Sequence, residues 1–141
     1  MRFLITAQPC KVDANATDKP FDEQLFLAYM KYNEEMTRAG VLIAAEGVRP
    51  NGVHVRVGCT GGKPVVLDGP FTEAKELIGG FYLIEVQSRD EAVQWALRHP
   101  AVQSGDETLE LRQLTELADL PPPVRQLIAD GAPEWSAPLW R

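Results

Sequence analysis

The chain has 141 residues, 45% of them hydrophobic and 24% charged, close to the averages of soluble globular proteins. That is one domain's length and enough to bury a core, which excludes whole-chain disorder and a disulfide-stapled miniprotein. The 14 Lys and Arg against 20 Asp and Glu leave a net charge of −6, arguing against a general affinity for nucleic acid or an anionic membrane.

Arg2 to Ala7 reads as a short strand that enters a polar loop, Gln8 to Lys19. Pro20 is placed to open a helix, where its missing N–H costs nothing. Phe21, Leu25, Ala28, Tyr29, Tyr32 and Met36 then recur at three- and four-residue steps, and Gly40 stops the run. Val41 to Glu46 is the second strand, and Pro50-Asn51-Gly52 is a turn. Val53, Val55 and Val57 alternate with His54 and Arg56, giving a third strand with one polar face. Gly61-Gly62 returns it into a partner, Lys63 to Leu67.

Gly79-Gly80 precedes Phe81 to Val86, apolar on both alternating faces apart from Glu85, so this strand asks for cover on two sides. Ser88-Arg89-Asp90-Glu91 is a capping box that launches a helix through Trp95 and Leu97, ended by Pro100. Glu107 to Arg112 is a last strand with Leu109 and Leu111 inward. The fold class expected is α+β, with two helices on one face of a mainly antiparallel sheet. Pro121-Pro122-Pro123 is stiff, and a short helical pattern follows from Val124 to Ala129. The apolar ending with Trp135, Leu139 and Trp140 is expected to dock as an arm and not to form a second domain.

Cys10 and Cys59 form no Cys-x-x-Cys pair, and with His54 and His99 they offer no zinc spacing, so no metal and no cofactor is expected. Both thiols are expected reduced. The first residues hold too short an apolar run for a secretory signal, and no stretch approaches a spanning helix, so a cytoplasmic location is expected. Neither nucleotide-binding glycine fingerprint is present, and no basic and aromatic stripe suggests a nucleic-acid surface.

Asp68-Gly69-Pro70-Phe71-Thr72-Glu73-Ala74-Lys75-Glu76, followed by Gly79-Gly80-Phe81-Tyr82-Leu83-Ile84, closely resembles the signature of YCII-related proteins that carry a DGPF motif. Gly40-Val41-Leu42, Ala45-Glu46-Gly47-Val48, Asp90-Glu91-Ala92, Trp95-Ala96 and Glu110-Leu111-Arg112 fit the same family in order and spacing. The resemblance covers residues 1–113 and leaves 114–141 as an extension. It implies a ferredoxin-like sheet whose subunits pack as a dimeric α/β barrel, hence a homodimer. Simpler YCII proteins carry a His near the first helix and an Asp near the end of the second. Here the first helix has no histidine and the second ends at His99-Pro100, so that pair is not carried over.

The residues themselves leave alternatives open. Asp68-Gly69-Pro70 is turn chemistry, or it sets the Asp68 carboxylate beside a cavity to take a proton. Glu46 ends an apolar strand, where it would share acid and base roles with Asp68 if the two met. Tyr82, Trp95 and Lys75 are the expected ligand contacts. Gly69, Pro70, Phe71, Glu73, Gly79 and Gly80 are the expected structural motif, with Phe71 as a core plug. Glu85 is expected to pair with Arg2 or Arg112, and His99 to sit as a cation at a helix C-terminus. Three functions follow. One is a cofactor-free enzyme with carboxylate acid/base chemistry near the DGPF loop, for which the resemblance to the dimeric α/β-barrel group implies lactones or other small organic acids as substrates. The second is a ligand-binding or sensing dimer without turnover. The third, implied by the resemblance, is an interaction protein tied to an alternative sigma factor, with the arm as its docking element.

Overall fold

Strand β1, Arg2–Pro9, alternates buried Phe3, Ile5 and Ala7 with half-buried Arg2, Leu4 and Thr6, so a single face carries the core. The computed structural model describes residues 1–10, 20–50, 52–71 and 77–140. Among these, β1 lies between β5 (Gly80–Glu85) and β6 (Glu107–Gln113), and β2 (Leu42–Gly47) flanks β5. The order is β2-β5-β1-β6, every pair antiparallel. The plan is mixed α+β, as the alternating periods predict.

Helix α1, Glu23–Arg38, begins later than Pro20 suggests. Asp22 is its cap, taking the Leu25 N–H on Oδ1 at 3.0 Å, and Phe21 is left exposed. Its stripe delivers Tyr32 and Met36 onto the sheet beside Ala92 and Trp95 of α2, Arg89–Leu97. Ser88 caps α2 as read, its Oγ accepting from Glu91 N–H at 3.1 Å, while Glu91 reaches back one residue beyond the cap to accept from Gln87 N–H at 2.8 Å. Helix α3, Pro100–Ser104, follows directly, because Pro100 ends α2 and opens the next turn.

Ile84 is 0% exposed and lies opposite Phe3 on one side and Leu42 on the other. Ile84→Ala is expected to cost about 2–5 kcal/mol, read as a lower midpoint in urea with an unchanged slope. Gly80 lets β2 approach β5, since a Cβ there would lie 2.8 Å from the Glu46 carbonyl oxygen.

Two expectations are corrected by this arrangement, the valine strand and the Glu85 pairing. The valine strand is β3, Val55–Thr60, which among the described residues pairs only with β4, Lys63–Asp68, in a separate two-stranded ribbon. Its alternation therefore buries nothing, and Val53 at its base is 97% exposed. The second face of β5, for which the sequence asks cover, is left open among the described residues: Phe81 and Leu83 are half-buried and Glu85 is exposed. Glu85 lies opposite Arg2, yet the Arg2 guanidinium reaches the Thr115 carbonyl and Arg112 pairs with Glu110. The C-terminal region forms α4 (Pro122–Gly131), α5 (Pro133–Ser136) and a final 3-10 turn, Ala137–Trp140. Ser136 is buried, but Trp135 remains 66% exposed.

Candidate functional site

At the end of the sheet where β1 finishes and β5 and β6 begin, the described residues enclose an open cleft of about 1540 Å³. Phe21, Leu25, Val48, Val53 and Ile78 give it apolar walls, and Glu107 stands at its sheet end. The position of Glu107 follows from strand parity. Residues 107, 109 and 111 share one face of β6, and Leu109 and Leu111 pack on the core, so the Glu107 side chain is turned toward the helices. Gly79 faces it, and Glu107 Oε1 lies 3.3 Å from where a Cβ of residue 79 would begin. Among the described residues the Glu107 side chain makes no hydrogen bond or ion pair. Burial pushes its carboxyl above the usual range, and the neighbouring Asp106 charge adds to this.

Behind Glu107 stands an aromatic cluster built on His99. The imidazole is 1% exposed and caps α3, where Pro100 has no N–H and the first free amide is that of Ala101. That amide donates to His99 Nδ1 at 3.2 Å. Nε2 must then hold the proton of the neutral ring, and it faces the Tyr82 hydroxyl oxygen at 3.2 Å. The rings of Tyr29, Tyr32 and Tyr82 all stand edge-on to His99, at 5.2, 5.3 and 5.5 Å. Burial lowers the His99 pKa to about 4, so the ring is neutral at pH 7. His99 is thus a neutral N-cap, not a cation at the end of α2. Burial and then the Glu107 charge push the Tyr82 hydroxyl up to about 12. The Tyr29 hydroxyl is raised for the same two reasons, with Tyr82 and Asp106 adding to it.

The residues singled out in the sequence lie elsewhere. Asp68 ends β4 opposite Val55, exposed, and Glu46 in β2 lies opposite Phe81, also exposed. Neither lines the cleft, and no described contact brings them together. Tyr82 and Trp95 belong to the core instead of forming a cleft wall, and the Arg98 guanidinium covers the Trp95 ring at 3.9 Å. Lys75 and Glu73 lie outside the described residues. Gly69 is needed where it stands: its N–H donates to the His54 carbonyl at 2.7 Å, and a Cβ would meet that same oxygen at 2.7 Å. The Gly69–Pro70 bond is cis. Phe71 is half-buried and no core plug; it contacts the His54 ring at 4.6 Å and lies under the Arg56 guanidinium at 3.9 Å, fastening the ribbon's base beside the cleft.

Cys10 and Cys59 are exposed and unbridged. Among the described residues no three His, Cys, Asp or Glu side chains converge on a common point, and no helix is long and apolar enough to cross a membrane.

The model of the YCII-related domain matches residues 1–117. The chain belongs to the YCII-related family. An uncharacterised protein of Rhizobium meliloti (strain 1021) is 33% identical to this YCII-related chain over 96 residues, 66% of the chain and 77% of the relative. Among solved structures, the 5-chloro-2-hydroxyhydroquinone dehydrochlorinase TftG of Burkholderia phenoliruptrix AC1100, in complex with 2,5-dihydroxybenzoquinone, aligns with a TM-score of 0.49. It is 16% identical, and the alignment covers 82% of this chain and 95% of that one.

Glu107 was open to discovery in the sequence. Once Leu109 and Leu111 are read as inward, position 107 shares their face, and a carboxylate on a core face needs a partner or a purpose.

Proposed function

We propose that this YCII-related chain is a small-molecule enzyme that moves a proton with a carboxyl group, and that the group is Glu107. The observation that supports this is the Glu107 carboxyl on the core face of the sheet, unpaired among the described residues and opening onto an apolar-walled cleft. A carboxylate kept from water but open to a ligand is a stronger base than one in solvent, and its acid form survives nearer to neutral pH. Asp68 and Glu46, exposed at strand ends, lack that environment. The substrate class proposed is the lactones and related small organic acids.

The test is turnover of a panel of such lactones by the full chain, with ligand-induced thermal stabilisation measured in parallel. Turnover lost in Glu107→Gln supports the enzyme. Saturable stabilisation with no turnover of any member assigns the cleft to a binding or sensing role instead.

We also propose a homodimer of the dimeric α/β-barrel type. The strand order and the uncovered sheet face, with Leu4, Phe81 and Leu83 half-buried and Ile43 exposed, support a second copy as its cover. Sedimentation is expected to give about twice the 15.6 kDa chain mass, and a monomer at micromolar concentration would contradict it. The exposed Leu127, Trp135 and Trp140 favour a docking role for the 114–141 extension, with a sigma factor as one partner to test by co-purification.

A further inference from the structure

We propose that the β3–β4 ribbon clasps a second copy of this chain, laying its Val55, Val57 and Val66 face against that copy beside the contact between the two open sheet faces. The inference rests on the homodimer reading and adds to it a surface that holds the two copies together.

The strand register sets the ribbon's two faces. Val55 lies opposite Asp68, Val57 opposite Val66 and Cys59 opposite Pro64, so these side chains share one face. That face is open, with Val55 41%, Val57 74% and Val66 64% exposed. The other face is engaged at its base, where the Arg56 guanidinium covers the Phe71 ring at 3.9 Å. A two-stranded ribbon alone in water is marginally stable, and an open apolar face is what a further layer covers.

The missing cover is large. The chain exposes 10526 Å², while a compact monomer of its 15.6 kDa mass exposes about 7,200 Å². The excess of about 3,300 Å² is well above the ~800 Å² that each partner buries in a standard interface. Four strands of six to eight residues offer a sheet face of only about 400 Å² in outline, so contact between sheets alone leaves most of that excess uncovered. The ribbon is continuous with that face. It leaves the end of β2 and returns to the start of β5, which pair at Gly47 and Gly80, and β5 carries Phe81 and Leu83 on the open side. A two-fold axis presents the same patch from both copies, so one contact covers both ribbons and both sheet faces. Charge agrees with this occupant. Lys63 at the ribbon's turn makes no ion pair among the described residues, and neither do Glu46 and Glu85 on the open sheet face. Opposite charges are thus left to meet between two copies that each carry a net −6.

The experiment is sedimentation equilibrium of the full chain from nanomolar to micromolar concentration, with circular dichroism on each sample. The parent is compared with a Val57→Asp, Val66→Asp double variant and with Thr60→Asp, which lies on the ribbon's other face. Parent and Thr60→Asp are expected to be dimers at micromolar concentration. The double variant is expected to be folded and to dimerise about 100-fold more weakly or worse, because two carboxylates would be buried where apolar contact stood. A parent dimer that the double variant leaves intact overturns this inference and leaves the homodimer reading standing. An equal loss in Thr60→Asp overturns it in the same way. A parent that stays monomeric overturns both and gives the ribbon to a foreign partner. Should the double variant not fold, hydrogen exchange of the parent decides. The amides of residues 55–68 are expected to gain protection as concentration rises through the dimer transition, and unchanged protection overturns the inference.

Discussion

Glu107→Gln is expected to lower turnover by about 10²–10⁴-fold, while Asp68→Asn and Glu46→Gln each remain within a few-fold of the parent. Glutamine keeps the length and shape of the side chain above Gly79 but cannot take or return a proton. The same change removes a carboxyl that burial disfavours as an ion and that has no hydrogen-bond donor or ion pair among the described residues. Folding stability at neutral pH is therefore expected to hold or rise slightly. That combination separates a chemical loss from a structural one: urea midpoints and turnover, measured on the same preparations, should move independently. If Asp68→Asn abolishes turnover with the fold intact and Glu107→Gln does not, the turn and not the cleft floor carries the chemistry.

The second large effect is on acid stability. His99 has a pKa near 6.5 when unfolded and about 4 in the fold, where burial disfavours the imidazolium. Between those values the unfolded chain binds a proton that the native one refuses, so the contribution is fully present above pH 6.5 and is lost as the pH falls through 4. The depression corresponds to about 3 kcal/mol lost across that window. Glu107 works in the opposite sense. Its raised pKa contributes stability that is present in acid, below its unfolded value, and lost as the pH rises through the folded one. Urea titrations at pH 7, 5.5 and 4 should show a steep decline in the parent and a flattened or reversed one in His99→Asn. An equal decline in both would mean that the acid sensitivity lies elsewhere.

Much of the fold was legible because local rules and global packing agree. Ser88 and Glu91 mark a helix start that tertiary structure has no reason to override, and the 3.6 period of Leu25, Tyr29, Tyr32 and Met36 matches the face that α1 buries. The valines of β3 misled because period-2 alternation reports a strand without reporting whether anything covers it; a ribbon paired only with itself shows the same pattern. The site was harder. Asp68 drew attention through its motif, but its carboxylate ends in solvent while the backbone of that turn anchors to His54. His99 reads from sequence as the last residue of one helix, and only the immediate start of α3 at Pro100 makes it a cap for the next. Tyr82 drew attention as a ligand contact, but it is buried in the core cluster and does not line the cleft.

The most direct test of the account is the titration of the Glu107 carboxyl in the unmodified chain by carbon-13 NMR. A midpoint above the ordinary glutamate value of about 4.3 is the predicted result; a resonance that shifts on addition of a small lactone would place the ligand beside it. A midpoint at or below that ordinary value would mean a solvated or ion-paired carboxylate, and the cleft would lose the group on which its proposed chemistry depends.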